Sequence, residues 1–194
     1  MRRWFRLGRL RAVHAPIFLH WSVFMLAAIC AVALVKAPLH ALVLLASILI
    51  LIVGHELGHA LVCRRLGVKV LAIYISAGHG RCVHGVPYSR WEEALIAWGG
   101  VAAQASMAIP FLVLDAFWVG PRGLLGEPIS ILGYFSLLTI AFNLLPVQGL
   151  DGSKAWYIAS EWRLNLKAKR VASKALRRLG SRKQTSSAEH KRGR

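Results

Sequence analysis

Residues 39–62 read LHALVLLASILILIVGHELGHALV, an apolar stretch interrupted near its end by His55, Glu56 and His59. A membrane-spanning helix needs roughly 20 predominantly apolar residues, and this stretch is long enough. Ionisable side chains inside a membrane are costly, so those that occur there usually have a function. The stretch therefore predicts a transmembrane helix that carries a polar site close to one end.

The composition of the whole chain is that of a membrane protein. Of its 194 residues 56% are hydrophobic and 17% are charged, and the mean hydropathy is +0.51. Soluble domains balance a similar apolar fraction with about 25% charged residues. Three cysteines without paired spacing argue against a disulfide framework. These numbers exclude an ordinary soluble domain, a secreted disulfide scaffold and a disordered protein.

Four apolar stretches are predicted to cross the membrane as helices. The first follows a basic arm, as the core of a signal peptide would. However, it is longer than a usual signal core and the second follows at once, which favours a retained helical hairpin. The predicted fold class is an all-α polytopic membrane protein with four transmembrane helices. The stretches are residues 16–35, 39–62, 94–119 and 128–145.

Basic residues set the predicted orientation. Lys and Arg number five in the amino-terminal arm, five between spans two and three, and thirteen from Lys154 onward, against one in each remaining turn. Because basic residues favour the cytoplasmic side, we expect a multi-pass inner-membrane protein with both termini in the cytoplasm. The predicted parts are a basic arm (1–15), a four-span domain (16–160) and a basic tail (161–194).

The net charge of +17 predicts a polyanionic partner. Anionic lipid would contact the basic arm and an amphipathic stretch of the tail. Nucleic acid is disfavoured because no aromatic residue follows Trp162 to stack on bases.

His55, Glu56 and His59 form a pattern suited to a metal site. Histidines four residues apart lie on one face of a helix and can bind one ion. Zinc lowers the pKa of its water towards about 7, and a neighbouring carboxylate can take the proton during attack on a peptide carbonyl. The alternative, a helix end with interfacial histidines, accounts poorly for Glu56 at that depth.

A catalytic zinc site has three protein ligands, so a third must come from elsewhere. Asp151 is at the cytoplasmic end of the fourth span, at about the depth of the two histidines. Around it, residues 143–152 (NLLPVQGLDG) break the helix, and non-helical backbone at membrane depth needs a buried or wet setting. The other acidic residues considered fall at the surface, at the opposite membrane face or in the tail: Glu92, Glu93, Asp115, Glu127, Glu161 and Glu189.

Three motifs together resemble the site-2 protease family of intramembrane zinc metalloproteases. They are HELGH at 55–59, NLLP at 143–146 and LDG at 150–152. In addition, PIFLHWS at 16–22 is similar to the opening of the first span in the compact bacterial branch that includes sporulation-factor-processing proteases. The resemblance covers about residues 10–160.

The resemblance implies one zinc ion per chain and a role for each motif residue. His55, His59 and Asp151 would be the zinc ligands, and Glu56 the catalytic base. Asn143 matches an asparagine implicated in positioning the substrate or transition state, where an amide could stabilise an oxyanion.

The third span departs from the family pattern. Relatives often have Gly-Pro-x-x-Asn there, whereas residues 100–104 read GVAAQ, so Val101 and Gln104 replace proline and asparagine. The small residues Gly99 and Gly100 still predict close helix packing. Gln104 can hydrogen-bond from a longer stem, and we expect it to contribute to substrate binding.

Residues 68–76 and 81–86 predict a short β-hairpin between helices two and three. The family resemblance implies that this hairpin is membrane-associated and lies near the active site. Hydrolysis needs an extended backbone, so one strand edge is predicted to pair with an unwound substrate segment. Ile73 and Ile75 are the predicted substrate-binding residues of this hairpin.

The predicted function is hydrolysis of a peptide bond within or near a transmembrane segment of another membrane protein. The main alternative is a non-proteolytic membrane binding protein that keeps the fold. The intact Glu56 argues against that alternative, while the altered Gln104 region keeps it open. A membrane-anchored nucleic-acid binder is the third reading.

Overall fold

The computed structural model describes residues 4–10, 13–33, 35–164 and 166–168. Most of the predicted basic tail therefore lies outside the described residues, as does the start of the basic arm. The strands are β1 (Trp4–Leu10), β2 (Ala15–His20), β3 (Val70–Ile75) and β4 (Gly80–His84). The helices are α1 (Ser22–Ala33), α2 (Pro38–Arg65), α3 (Arg90–Phe117), α4 (Gly123–Asn143) and α5 (Gly152–Ala155), and residues 157–164 and 166–168 are also helical.

The protein is mostly helical, with one small sheet. Within the described ranges, α2, α3 and α4 are long and apolar enough to cross a membrane. The predicted first span differs, because residues 15–20 form β2 and, among the described residues of that span, only the 12 of α1 are helical. A helix of that length is about 18 Å long, short of the roughly 30 Å hydrocarbon core. Four membrane crossings therefore stay a prediction.

The sheet has the strand order β1-β2-β3-β4. β1 and β2 are antiparallel, β2 and β3 are parallel, with Ile17 opposite Ile73, and β3 and β4 form an antiparallel pair. The last pair is the predicted hairpin, and its association with the membrane stays a prediction. Because β3 has a neighbour on each side, the free edges of the sheet belong to β1 and β4.

The core joins the sheet to the second half of α2. Its buried members include Ala15 from β2, Cys63 from α2, Ile73 and Ile75 from β3, and Ile96 from α3. This packing holds the polar end of α2 against the sheet on one side and α3 on the other.

Helices α2 and α3 approach closely through glycines, as the small residues of the third span predict. A Cβ atom added to Gly99 would lie 2.7 Å from the carbonyl oxygen of Gly58 and 2.7 Å from Cγ2 of Val62. A Cβ added to Gly100 would lie 2.5 Å from Cε1 and Nε2 of His59. The two helices can be this close only without side chains at those positions.

Candidate metal centre

His55, His59 and Asp151 meet in space, although the aspartate is 92 residues beyond the second histidine. Nε2 of His55 lies 3.0 Å from Nε2 of His59 and 3.0 Å from Oδ2 of Asp151. The third separation, from His59 Nε2 to Asp151 Oδ2, is 3.3 Å. Ligand atoms bonded at about 2.0–2.1 Å to one tetrahedral ion would lie about 3.3 Å apart. The three residues thus form a group that could bind a metal ion.

The hydrogen bonds of the two imidazoles indicate which ring nitrogen of each is unprotonated and directs its lone pair to the centre. Nδ1 of His59 lies 2.7 Å from the carbonyl oxygen of Ile96, which can only accept, so Nδ1 carries the proton. Nδ1 of His55 lies 3.0 Å from Oε1 of Gln104. Both Nε2 atoms then present lone pairs to each other and to a carboxylate.

Asp151 completes a set of electron-pair donors that a bound cation would satisfy. Its Oδ2 is buried and has no hydrogen-bond partner among the described residues. Two neutral imidazole nitrogens and one carboxylate are the donor chemistry that zinc prefers, and the set fits that ion.

The short loop that carries Asp151 is held by two hydrogen bonds from tryptophan side chains and by one close backbone contact. The indole N–H of Trp98 donates to the Ala155 carbonyl at 3.2 Å, and that of Trp156 donates to the Leu144 carbonyl at 2.8 Å. Gly152 packs so closely on the Leu144 carbonyl that a Cβ atom there would collide with backbone. The position of the aspartate is therefore set by two indole hydrogen bonds and one close backbone contact on either side of it.

Glu56 is buried on α2 directly beside β4, with 5% of its surface exposed. The backbone N–H of Cys82 donates to its carboxylate. A Cβ atom added to Gly80 would fall on the Glu56 side chain, so the strand can pass this close only with glycine there. The carboxylate is thereby held next to the three converging ligand atoms.

The centre opens into a cavity of about 940 Å³. Asn143, Gln104 and Thr139 line it together with His55, Glu56 and Asp151. Asn143 is the last residue of α4, and its side-chain amide has no hydrogen bond within the described part of the chain. It is therefore available to donate to a bound molecule.

Unlike the predicted metal ligands, the predicted substrate-binding residues Ile73 and Ile75 do not line the cavity. Ile73 and Ile75 are 1% and 2% exposed, and β3 is hydrogen-bonded to β2 and β4. Both side chains pack in the core of a central strand, an arrangement that does not favour contact with a substrate, and substrate binding by these two residues stays a prediction. Gln104 lines the cavity, but its amide is engaged by His55 and Thr139. Its role in substrate binding stays a prediction.

No protein-family model matches the chain. Residues of the chain are 32% identical over 85 positions to a Mycolicibacterium smegmatis protein named "Putative zinc metalloprotease Rip2", a match that covers 43% of this chain and 31% of that protein. Among solved structures, the site-2 protease from Methanocaldococcus jannaschii superposes with a TM-score of 0.60 at 23% identity, covering 81% of this chain and 72% of that one. The chain has the site-2 protease fold.

Both comparisons confirm the predicted resemblance to the site-2 protease family. The chain spans less than a third of the length of the curated relative it matches. The sequence alone did not predict that Thr139 contacts Gln104, or that the indoles of Trp98 and Trp156 hold the loop that carries Asp151. Trp98 and Trp156 belong to no motif, and Thr139 is one of several polar residues of α4, so nothing in the sequence singles it out.

Proposed function

We propose that this chain is an intramembrane zinc metalloprotease that hydrolyses a peptide bond within or near a transmembrane segment of a membrane-protein substrate. The observation that carries the proposal is the meeting of His55, His59 and Asp151 with Glu56 beside them in one cavity. His55 is ten residues before the end of α2 at Arg65, about 15 Å along the helix. Water would have to reach it through that cavity.

In this proposal His55, His59 and Asp151 hold one zinc ion per chain. When bound, zinc supplies the Lewis acidity that activates water and polarises the scissile carbonyl. Glu56 takes the proton of the attacking water and passes one to the leaving amide nitrogen. The free amide of Asn143 donates to the oxygen that becomes negatively charged.

The closeness of Glu56 to β4 supports a revised site for substrate pairing. β4 is an edge strand, and its Cys82 N–H points to Glu56, so its unpaired side faces the centre. An extended substrate segment added to this edge would lie beside the catalytic groups. A photo-crosslinker at His84, which lines the cavity, should capture substrate, while one at Leu71, exposed on β3, should not. Equal capture at both positions would contradict this arrangement.

We also propose that the protein crosses the inner (cytoplasmic) membrane several times and that both of its termini lie in the cytoplasm. The count of basic residues supports this orientation. Contact of the arm and tail with anionic lipid follows from the same charges. Reporter fusions at each terminus test it, because a carboxyl-terminal fluorescent protein folds only in the cytoplasm under this topology.

Metal content tests the proposed function without knowledge of the substrate. Detergent-purified protein should contain about one zinc per chain, and His55→Ala and Asp151→Ala should lose most of it. Glu56→Gln should keep zinc but cleave a transmembrane substrate about 100- to 10,000-fold more slowly. Folded wild-type protein that binds no zinc after reconstitution would overturn the proposal.

A further inference from the structure

The His55 side of the centre contains a chain of hydrogen bonds that starts on another helix. Oγ1 of Thr139 lies 3.1 Å from the carbonyl oxygen of Phe135 and 3.0 Å from that of Ser136. Carbonyl oxygens only accept, so the Thr139 hydroxyl proton points towards α4 itself. The hydroxyl oxygen is left to act as an acceptor towards the centre.

The direction of this first bond sets the direction of the next two. Nε2 of Gln104 lies 3.1 Å from Oγ1 of Thr139 and donates to it. The amide oxygen of Gln104 is thereby turned to Nδ1 of His55, 3.0 Å away, and accepts its proton. The remaining nitrogen of His55, Nε2, then carries the lone pair that faces His59 and Asp151.

We propose that Gln104 and Thr139 are positioning residues that act as one unit to set the His55 tautomer for metal binding. Gln104 is 3% exposed, so water does not easily replace the amide. A turned amide would offer an N–H to Nδ1 and favour the tautomer whose Nε2 is protonated and cannot bind an ion. Thr139 opposes that turn, because the turned amide oxygen would face the Thr139 oxygen unless the hydroxyl proton left its α4 carbonyl acceptors. This inference rests on the proposed function, because it needs a metal at His55.

Zinc affinity measured by competition with a chromophoric chelator tests the proposal. Gln104→Leu should weaken zinc binding about 10- to 100-fold, the range seen when such outer partners are removed. Thr139→Val should weaken zinc binding less, because the Gln104 amide is still present and adopts the flipped orientation only part of the time. Gln104→Glu and Thr139→Ser keep the acceptor and the hydroxyl, so both should bind within about threefold of wild type.

A double-mutant cycle separates this unit from two independent packing effects. If Thr139 acts through Gln104, the variant carrying Gln104→Leu and Thr139→Val should bind zinc no more weakly than Gln104→Leu alone. The visible absorption of bound Co²⁺ should change in Gln104→Leu and return in Gln104→Glu. Ser106→Ala is the matched control on α3, since its exposed hydroxyl donates to the Ala103 carbonyl of the same helix.

The outcomes separate the two proposals. Unchanged affinity and Co²⁺ spectrum in folded Gln104→Leu, or strictly additive losses in the double variant, would overturn the inference while wild type still binds zinc. No His55-dependent zinc in wild type would overturn the proposed function and, with it, the inference. If Gln104→Leu does not fold, Thr139→Val and its rescue by Thr139→Ser decide the question.

Discussion

Replacing Gly100 with alanine should damage the metal site more than it damages the fold. The new Cβ would lie 2.5 Å from Cε1 and Nε2 of His59 and 2.7 Å from Cε1 of His55. Carbon atoms pack at about 3.5–4.0 Å, so the rings would have to move by about 1 Å. A metal site tolerates deviations of only about 0.2 Å in its ligand distances.

The free-energy cost of this clash should appear as weaker metal binding, because the clashing atoms are the ring atoms of His55 and His59 that lie nearest the metal site. Without metal the rings can turn aside, and the metal-free protein should unfold at nearly the wild-type temperature. With metal they must return, and overpacking of this kind costs about 1–3 kcal/mol. That range corresponds to zinc binding weakened about 5- to 150-fold.

Chelator competition gives the affinity, and thermal unfolding of the chelated protein in detergent gives the stability. Gly126→Ala is the matched control, because its Cβ would meet nothing closer than Cβ of Arg122 at 3.9 Å. Wild-type zinc affinity in Gly100→Ala, or an equal loss in Gly126→Ala, would refute the reasoning.

Three further substitutions test the packing around the centre by denaturant unfolding in detergent. Gly99→Ala should destabilise the protein by about 1–3 kcal/mol with or without metal, because its Cβ would meet the Gly58 carbonyl oxygen at 2.7 Å and backbone cannot turn aside. Trp156→Phe removes the 2.8 Å bond to the Leu144 carbonyl and should cost about 0.5–1.5 kcal/mol. Lys154→Met breaks only a half-exposed ion pair and should cost less than about 1 kcal/mol. A larger loss for Lys154→Met than for Gly99→Ala would contradict this ranking.

The parts of the site that sequence could predict are those that depend on local geometry. The four-residue spacing of His55 and His59 puts both rings on one face of α2 wherever that helix packs. Asp151 could be found because the chain has few acidic residues, and most of the others fall at the wrong depth. The small residues at Gly99 and Gly100 predicted a close helix contact, which the structure has.

The parts that sequence could not predict depend on contacts between distant segments. Residues 15–20 are apolar and could serve a helix or a buried strand equally well. They become β2 because they pair with β1 and with β3, more than 50 residues later in the chain. The same pairing makes β3 central, which buries Ile73 and Ile75 and moves the free edge to β4.

The geometry of the centre depends most on a helix that supplies none of its three ligand residues. From α3, the Ile96 carbonyl orients His59, Gln104 orients His55, and Trp98 fastens the loop that carries Asp151. These contacts extend over more than two turns of one helix, so a rotation or shift of α3 would disturb all three ligands together. Close packing on α2 through Gly99 and Gly100 prevents such a shift. Substitutions in α3 should therefore act on metal binding as a group, whereas a change at one ligand should leave the other two in place.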